Sequence, residues 1–147
     1  MVFLMEKKDM LEIKEKTNAV IIKEFRPDAA LIQYNSSGEV RGARYHASHV
    51  ETVDVTMKMD GKNEWESRAM QTTKDGDVVM IVGKGTGQGN TFTGEATYMT
   101  NSPRLSWLNN MKAHVEGSSD MRSGEATLRI WPEKKMEAAA EAAPAMM

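Results

Sequence analysis

Apolar and polar residues alternate along the segment from Ala43 to Met59. One set of alternate positions is mostly apolar, while the positions between them are mostly polar. A period of two residues is typical of a β-strand that turns one face toward a core. The pattern therefore predicts a long strand with Tyr45, His49 and Glu51 on its inner face. It ends at Asp60-Gly61-Lys62-Asn63, a sequence typical of a hairpin turn.

Strand signals of the same kind recur along most of the chain, separated by turn sequences such as Lys74-Asp75-Gly76-Asp77. The stretch from Lys7 to Lys16 fits either a short helix or the beginning of a strand, and the pattern leaves both open. About eight or nine regularly spaced strands, with no long helix between them, predict antiparallel pairing. We expect an all-β fold, a closed antiparallel meander β-barrel, because closure removes exposed strand edges; a β-sandwich is the alternative. The predicted strands span residues 19–25, 29–34, 43–59, 64–73, 78–82, 91–100, 105–117 and 121–131, with turns or loops at residues 26–28, 35–38, 83–90, 101–103 and 117–120.

The chain of 147 residues fits one domain of ordinary size. We assign residues 1–132 to a single β-barrel domain. Residues 133–147 are rich in Ala, Glu and Met, and we expect them to form a flexible tail or a short helix.

Composition and charge exclude several classes of function. The sequence contains no cysteine, which excludes disulfides, thiolate nucleophiles and zinc sites with cysteine ligands. The formal net charge is −2 and no basic stripe stands out, so we expect no nucleic-acid partner. We find neither a signal-peptide pattern nor an apolar run long enough for a membrane span, and we therefore expect a cytoplasmic protein.

The glycine cluster from Gly83 to Gly89 invites comparison with a phosphate-binding loop. Such a loop needs a helix after it, because the helix N-terminus binds the anion. Here the following residues, Thr91 to Ala96, have the pattern of a strand. We therefore predict a flexible hairpin or a set of barrel-corner glycines, and no nucleotide cofactor.

The histidines do not have the spacing of a metal site. His46 and His49 are three residues apart on one strand, so their side chains point to opposite faces. His114 is remote in sequence. We predict no metal ligands and no cofactor.

His49 and Glu51 do share the inner face of the long strand, beside apolar residues. An imidazole and a carboxylate at one end of an apolar cavity could act as general acid and base, and they are the candidate catalytic residues. A buried structural pair is the alternative. Candidate ligand-binding residues are the aromatic side chains and one amide that could line the same interior: Tyr45, Trp65, Tyr98, Trp107 and Asn109.

Three sequence segments together resemble uncharacterised lipocalin-like barrels of prokaryotes, whose fold is similar to that of allene oxide cyclase. They are Thr73 to Val79, the glycine-rich segment that follows, and the run Thr-Asn-Ser-Pro-Arg-Leu-Ser-Trp-Leu-Asn from Thr100 to Asn109. The likeness covers Glu64 to Pro132, about half the chain. It implies a closed barrel with a central cavity and frequent oligomers, and it transfers no catalytic residue.

The leading hypothesis is non-covalent binding of a small, largely apolar molecule in a barrel cavity. One alternative is a cofactor-free isomerase, cyclase or lyase that uses His49 and Glu51 for proton transfer. Another is an oligomeric structural protein with a filled barrel. The segment from Val78 to Val82 is apolar on both faces, which indicates cover by a partner subunit, so we expect a homo-oligomer.

Overall fold

Eight antiparallel strands close into a barrel in the computed structural model, which describes residues 9–133. Each strand pairs with its neighbours in sequence, and the first pairs with the last to complete the barrel. The predicted closed meander is confirmed, and the sandwich alternative is wrong. The strands are β1 (Leu11–Arg26), β2 (Ala29–Arg41), β3 (His46–Lys58), β4 (Lys62–Thr72), β5 (Val78–Gln88), β6 (Thr91–Met99), β7 (Lys112–Asp120) and β8 (Glu125–Pro132).

Some segments that we predicted as breaks are continuous strand. Residues 35–38 lie inside β2, and residues 83–88 lie inside β5. The helix alternative for the N-terminal stretch is wrong from Leu11 onward, because β1 begins there and runs through to Arg26. Asn, Ser and Gly favour turns by local propensity, but pairing with strands on both sides overrides that preference. Residues 117–120 likewise belong to β7, and the turn comes after them.

One end of the barrel is closed by a short 3-10 helix, Pro103–Leu108. Part of this helix falls within the strand that we predicted over residues 105–117, and the strand itself begins only at Lys112. Leu105, Leu108 and Met111 are buried in the core at this end. The Ser102 hydroxyl donates to Asp77 Oδ1 at 2.8 Å and so holds the helix against the turn before β5.

The opposite end of the barrel flares open. β8 pairs with β1 only from Leu11 to Lys16, whereas β2 and β3 accompany each other along their full length. The outer half of β1 therefore has a partner on one side only. Val20, Ile22 and Phe25 on this part are 53%, 58% and 74% exposed, so an apolar surface continues beyond the barrel end.

The predicted tail lies outside the described residues, apart from its first residue, Glu133. Within residues 9–133, no helix has the length and apolar character needed to cross a membrane.

Candidate functional site

A cavity of about 340 Å³ lies inside the barrel. It reaches from the barrel interior to the turn after β7. This end of the barrel also holds the turns between β1 and β2, between β3 and β4, and between β5 and β6. Its volume lies at the lower end of the range of small-molecule sites. Aliphatic side chains form a large part of its wall, among them Ile13, Val53, Val55, Ile81, Ala96, Val115, Leu128 and Ile130.

A cross-strand row of inward-facing residues carries the polar part of this cavity. Glu15 on β1 lies opposite Gly38 on β2, Gly38 lies opposite His49 on β3, and His49 lies opposite Gln71 on β4. Because Gly38 has no side chain, the Glu15 carboxylate can reach over β2 to the imidazole. Glu15 and His49 are far apart in sequence, and they meet across β2 at the position where that strand has no side chain.

Glu15, His49 and Glu51 form a buried charged cluster. His49 Nε2 lies 3.0 Å from Glu15 Oε1 and 3.4 Å from Glu51 Oε1. The His49 side chain is 1% exposed, and each carboxylate is 7% exposed. Such a buried set persists only when the charges compensate each other, because removing one partner leaves an uncompensated charge.

The pKa values of the cluster are displaced in different directions. Burial raises the pKa of Glu15 to about 7, although hydrogen bonding to His49 opposes this effect. Burial alone would lower the pKa of His49, but hydrogen bonds and charges of Glu15 and Glu51 outweigh it and raise the pKa to about 9. Burial favours protonation of Glu51 as well, yet hydrogen bonds from His49, Glu15 and Ser67 hold its pKa below the ordinary value. At neutral pH, therefore, His49 and Glu51 are charged and Glu15 titrates.

The side-chain amide of Gln71 fixes the other side of the imidazole. Its nitrogen Nε2 lies 3.0 Å from His49 Nδ1, and the carbonyl oxygen of this fully buried amide has no hydrogen-bond partner. A charged imidazole donates from both ring nitrogens. With the amide turned end for end, its oxygen would face Nδ1 and accept a hydrogen bond from the charged imidazole.

The structure separates the predicted site residues into two groups. His49, Glu51, Trp65 and Tyr98 line the cavity. Tyr45, Trp107 and Asn109 do not appear in its lining and belong to the closed end of the barrel. Trp107 packs edge-on against Tyr45 at 6.3 Å and beneath the Arg44 guanidinium at 3.9 Å, while the Asn109 side chain accepts a hydrogen bond from Thr100 N.

Glu15 is the main residue that sequence reasoning missed. The alternation of Leu11, Ile13, Glu15 and Thr17 on one face would have revealed it if the N-terminal stretch had been read as a strand. The helix alternative obscured this inner face, and only the register of β1 on β2 shows that the carboxylate meets His49.

The glycine-rich segment makes room for Trp65. The indole lies over Gly85 and Gly94, which are opposite each other on β5 and β6. A Cβ on Gly94 would come within 2.6 Å of the ring, and one on Gly85 within 2.7 Å. Trp65 also packs edge-on against Phe92 at 6.0 Å. Gly83 and Gly87 of this segment line the cavity, and the segment is part of β5 and not a flexible loop.

Glu15, His49 and Glu51 are also the residues that could hold a metal ion among those described, since each offers one ligand atom within 4.8 Å of the others. The prediction that His46 and His49 diverge agrees with their exposures, because His46 lies on the outer surface, 62% exposed. In the structure the three clustered groups satisfy one another as ion pairs, and direct pairing accounts for their approach.

A larger, open groove of about 830 Å³ lies on the outer surface across β4 to β8. Apart from Phe92 and two glycines, its wall consists of exposed or half-buried polar side chains, including Lys62, Glu64 and Arg129. It contains none of the buried titratable groups described above, so the barrel interior is the stronger candidate site.

No protein-family model and no curated protein matches the chain. A solved protein of unknown function from Clostridium acetobutylicum superposes with a TM-score of 0.73 at 16% identity, over 85% of this chain and 96% of that one. A β-barrel-like protein from Acinetobacter baumannii gives 0.67 at 16% identity, over 85% and 93%. An enzyme from Penicillium herquei gives 0.64 at 15% identity, over 87% and 98%. These likenesses show a shared fold, and the chain is a closed β-barrel similar to solved proteins of unknown function.

Proposed function

We propose that the barrel binds a small, largely apolar molecule in its interior cavity. The observation that supports this most directly is the combination of an aliphatic wall with one buried polar cluster, Glu15, His49 and Glu51. Apolar area supplies affinity in such sites, and a few placed polar groups supply orientation. The resemblance to lipocalin-like and allene oxide cyclase-like barrels agrees with this proposal.

The flared end supports the same proposal, because it provides an entrance. The apolar surface of β1 to β3 continues outward from the cavity through Val20, Val53 and Met57. An apolar ligand would therefore meet a continuous apolar path from solvent to the buried cluster. The closed end offers no such path, since the 3-10 helix fills it.

Filling part of the cavity should weaken binding of the ligand. Val53 lines the cavity, and we expect Val53→Phe to weaken binding of the neutral fluorophore N-phenyl-1-naphthylamine by about tenfold or more, because the added ring occupies ligand volume. Fluorescence titration of the full chain measures this effect. The matched control is Val50→Phe, the same substitution on the same strand at an outward-facing position that is 48% exposed. Equal affinity of the two variants would contradict the interior site.

Proton-transfer catalysis on the bound molecule is a second candidate, favoured by the divergent pKa values of two adjacent carboxylates. Glu51, which stays ionised, is suited to accept a proton, and Glu15, with a pKa of about 7, is suited to donate one. His49 lies between them and keeps Glu51 ionised.

Deuterium uptake from D2O into a bound cyclic ketone tests this second function. If Glu51 is the base, Glu51→Gln should slow exchange by about a hundredfold or more, because proton transfer by a positioned group contributes that much. Binding of the neutral fluorophore should stay nearly unchanged. Exchange at the wild-type rate in the variant would remove Glu51 from the catalytic role.

We also propose that the protein associates with a second copy of itself through the outer surface. Val50, Met70, Met80 and Met99 lie side by side on four neighbouring strands and are 38% to 56% exposed. No charged residue interrupts this row, and a two-fold axis can place such a surface against its own copy. Native mass spectrometry reports the oligomer and any co-purified ligand together. A monomeric wild-type protein would contradict the association.

A further inference from the structure

Two buried oxygen atoms that line the cavity, Asn63 Oδ1 and the Tyr98 hydroxyl, have no hydrogen-bond partner within the protein. A third, Glu15 Oε1, lies 3.0 Å from His49 Nε2, a cation that it shares with Glu51. A buried acceptor without a donor costs about 1–3 kcal/mol. The Glu15 carboxylate and Asn63 Oδ1 therefore offer acceptors to a ligand, and the Tyr98 hydroxyl can either donate or accept.

The charges in the cavity also favour a ligand group that is positively charged. In the interior, the carboxylates of Glu15 and Glu51 share one cation, His49. The other charged side chains of the lining, Asp120 and Arg122, lie in and beside the turn that follows β7 and offset each other. When all groups are ionised, the interior thus carries one excess negative charge in an apolar surrounding, where charge interactions are strong.

We infer that the ligand is an apolar molecule that carries a primary ammonium group, held by the Glu15 carboxylate in the barrel interior. This inference rests on the binding function proposed above and names the class of ligand. An ammonium group brings three N–H donors and a compensating positive charge. An alkyl body suits the aliphatic wall of Ile13, Val53 and Ile81. A fatty acid, in contrast, would bring a third carboxylate into the interior.

The surroundings of Glu15 make this interaction sensitive to pH. Its titratable neighbours on β3 are His49 and Glu51, while β2 and β8 place Gly38 and Ala126 opposite it. Tyr98 on β6 faces the cluster but stays neutral, because burial raises the pKa of its hydroxyl. Since the pKa of Glu15 is about 7, its charge and hence its preference for a cation are present at pH 8 and are lost near pH 5.5.

The test compares three competitors of equal chain length, n-octylamine, n-octanol and n-octanoate, for displacement of N-phenyl-1-naphthylamine from the full chain near pH 8. We expect octylamine to displace the fluorophore at about tenfold lower concentration than octanoate, as one charge-assisted hydrogen bond predicts. Glu15→Gln should reduce this preference to less than about threefold, with each competitor measured against the fluorophore affinity of the same variant. The matched control Glu116→Gln removes an exposed carboxylate from the outer groove and should preserve the preference.

The outcomes separate the ligand class from the proposed function. If the fluorophore binds but octanoate competes as well as octylamine, the ammonium inference is overturned while cavity binding stands. If the preference survives in Glu15→Gln, the assignment to Glu15 is overturned. If Glu15→Gln fails to fold, the competition is repeated with the wild-type protein near pH 5.5. Protonation of Glu15 should lower the preference for octylamine there, and an unchanged preference overturns the assignment to Glu15. Failure of Val53→Phe to weaken fluorophore binding overturns the proposed function itself.

Discussion

Replacing Gly38 by valine should destabilise the barrel by about 3 kcal/mol and separate Glu15 from His49. A Cβ at Gly38 would meet the carbonyl oxygen of Lys14 and would lie 2.6 Å from the Cα of Glu15. Both contacts are with backbone, so β1 would have to move away from β2 at the row that carries the buried cluster. Chemical denaturation followed by tryptophan fluorescence measures the loss of stability.

The matched control is Glu39→Val at the next position, which is exposed. It removes surface ion pairs to Arg41 and His46, and exposed pairs of this kind contribute about 0–1 kcal/mol. If Gly38→Val is no less stable than this control, the close approach of β1 and β2 does not limit stability. A variant that folds but keeps the pKa of His49 near 9 by NMR titration would show that Glu15 still contacts the imidazole.

The wild-type free energy of unfolding should fall as pH rises from about 4.5 to 9. Glu15 holds its proton more tightly in the folded state, with a pKa of about 7 against the ordinary 4.5. Its contribution is complete below pH 4.5 and is lost as pH rises through 7, and it amounts to about 3 kcal/mol. His49 acts in the same direction between pH 6.5 and 9, because its pKa is also raised on folding.

Urea denaturation at a series of pH values measures this profile. Glu51 does not change the free energy of unfolding between pH 4.5 and 9. Because its pKa is lowered on folding, its contribution to stability is complete above pH 4.5 and is lost only in acid. In Glu15→Gln the decline between pH 4.5 and 7 should flatten, while the later decline from His49 remains. A stability that is constant or rising from pH 5 to 9 would contradict the buried cluster as described.

Local pattern and long-range register contributed differently to the site. His49 and Glu51 were predictable, because they stand on one strand and an even spacing puts them on one face. Their partner Glu15 was not, since it is 34 residues away from His49 and no local pattern encodes which strand will lie beside which. The placement of Trp107 and Asn109 failed for a related reason, because the residues after Thr100 form a 3-10 helix and close the barrel end.

The glycine-rich segment illustrates the same limit. By local propensity, Gly83, Gly85 and Gly87 favour a loop, and sequence reasoning therefore assigned one. In the barrel these positions face inward, where Trp65 lies beside Gly83 and Gly85 and Phe92 lies beside Gly87 in the space that side chains would fill. Whether local propensity or packing prevails depends on the side chain that a neighbouring strand places beside each glycine. Only the tertiary structure shows which side chain that is.

By itself, the sequence determined the all-β character, the antiparallel meander and the inner face that carries His49 and Glu51. These properties follow from alternation and turn chemistry, which act over a few residues. Only the tertiary structure decided that the interior is open, that one end is closed by a helix, and that Glu15 reaches His49 over Gly38. The reason is physical: volume, closure and cross-strand register depend on residues distant in sequence that meet only when the barrel closes.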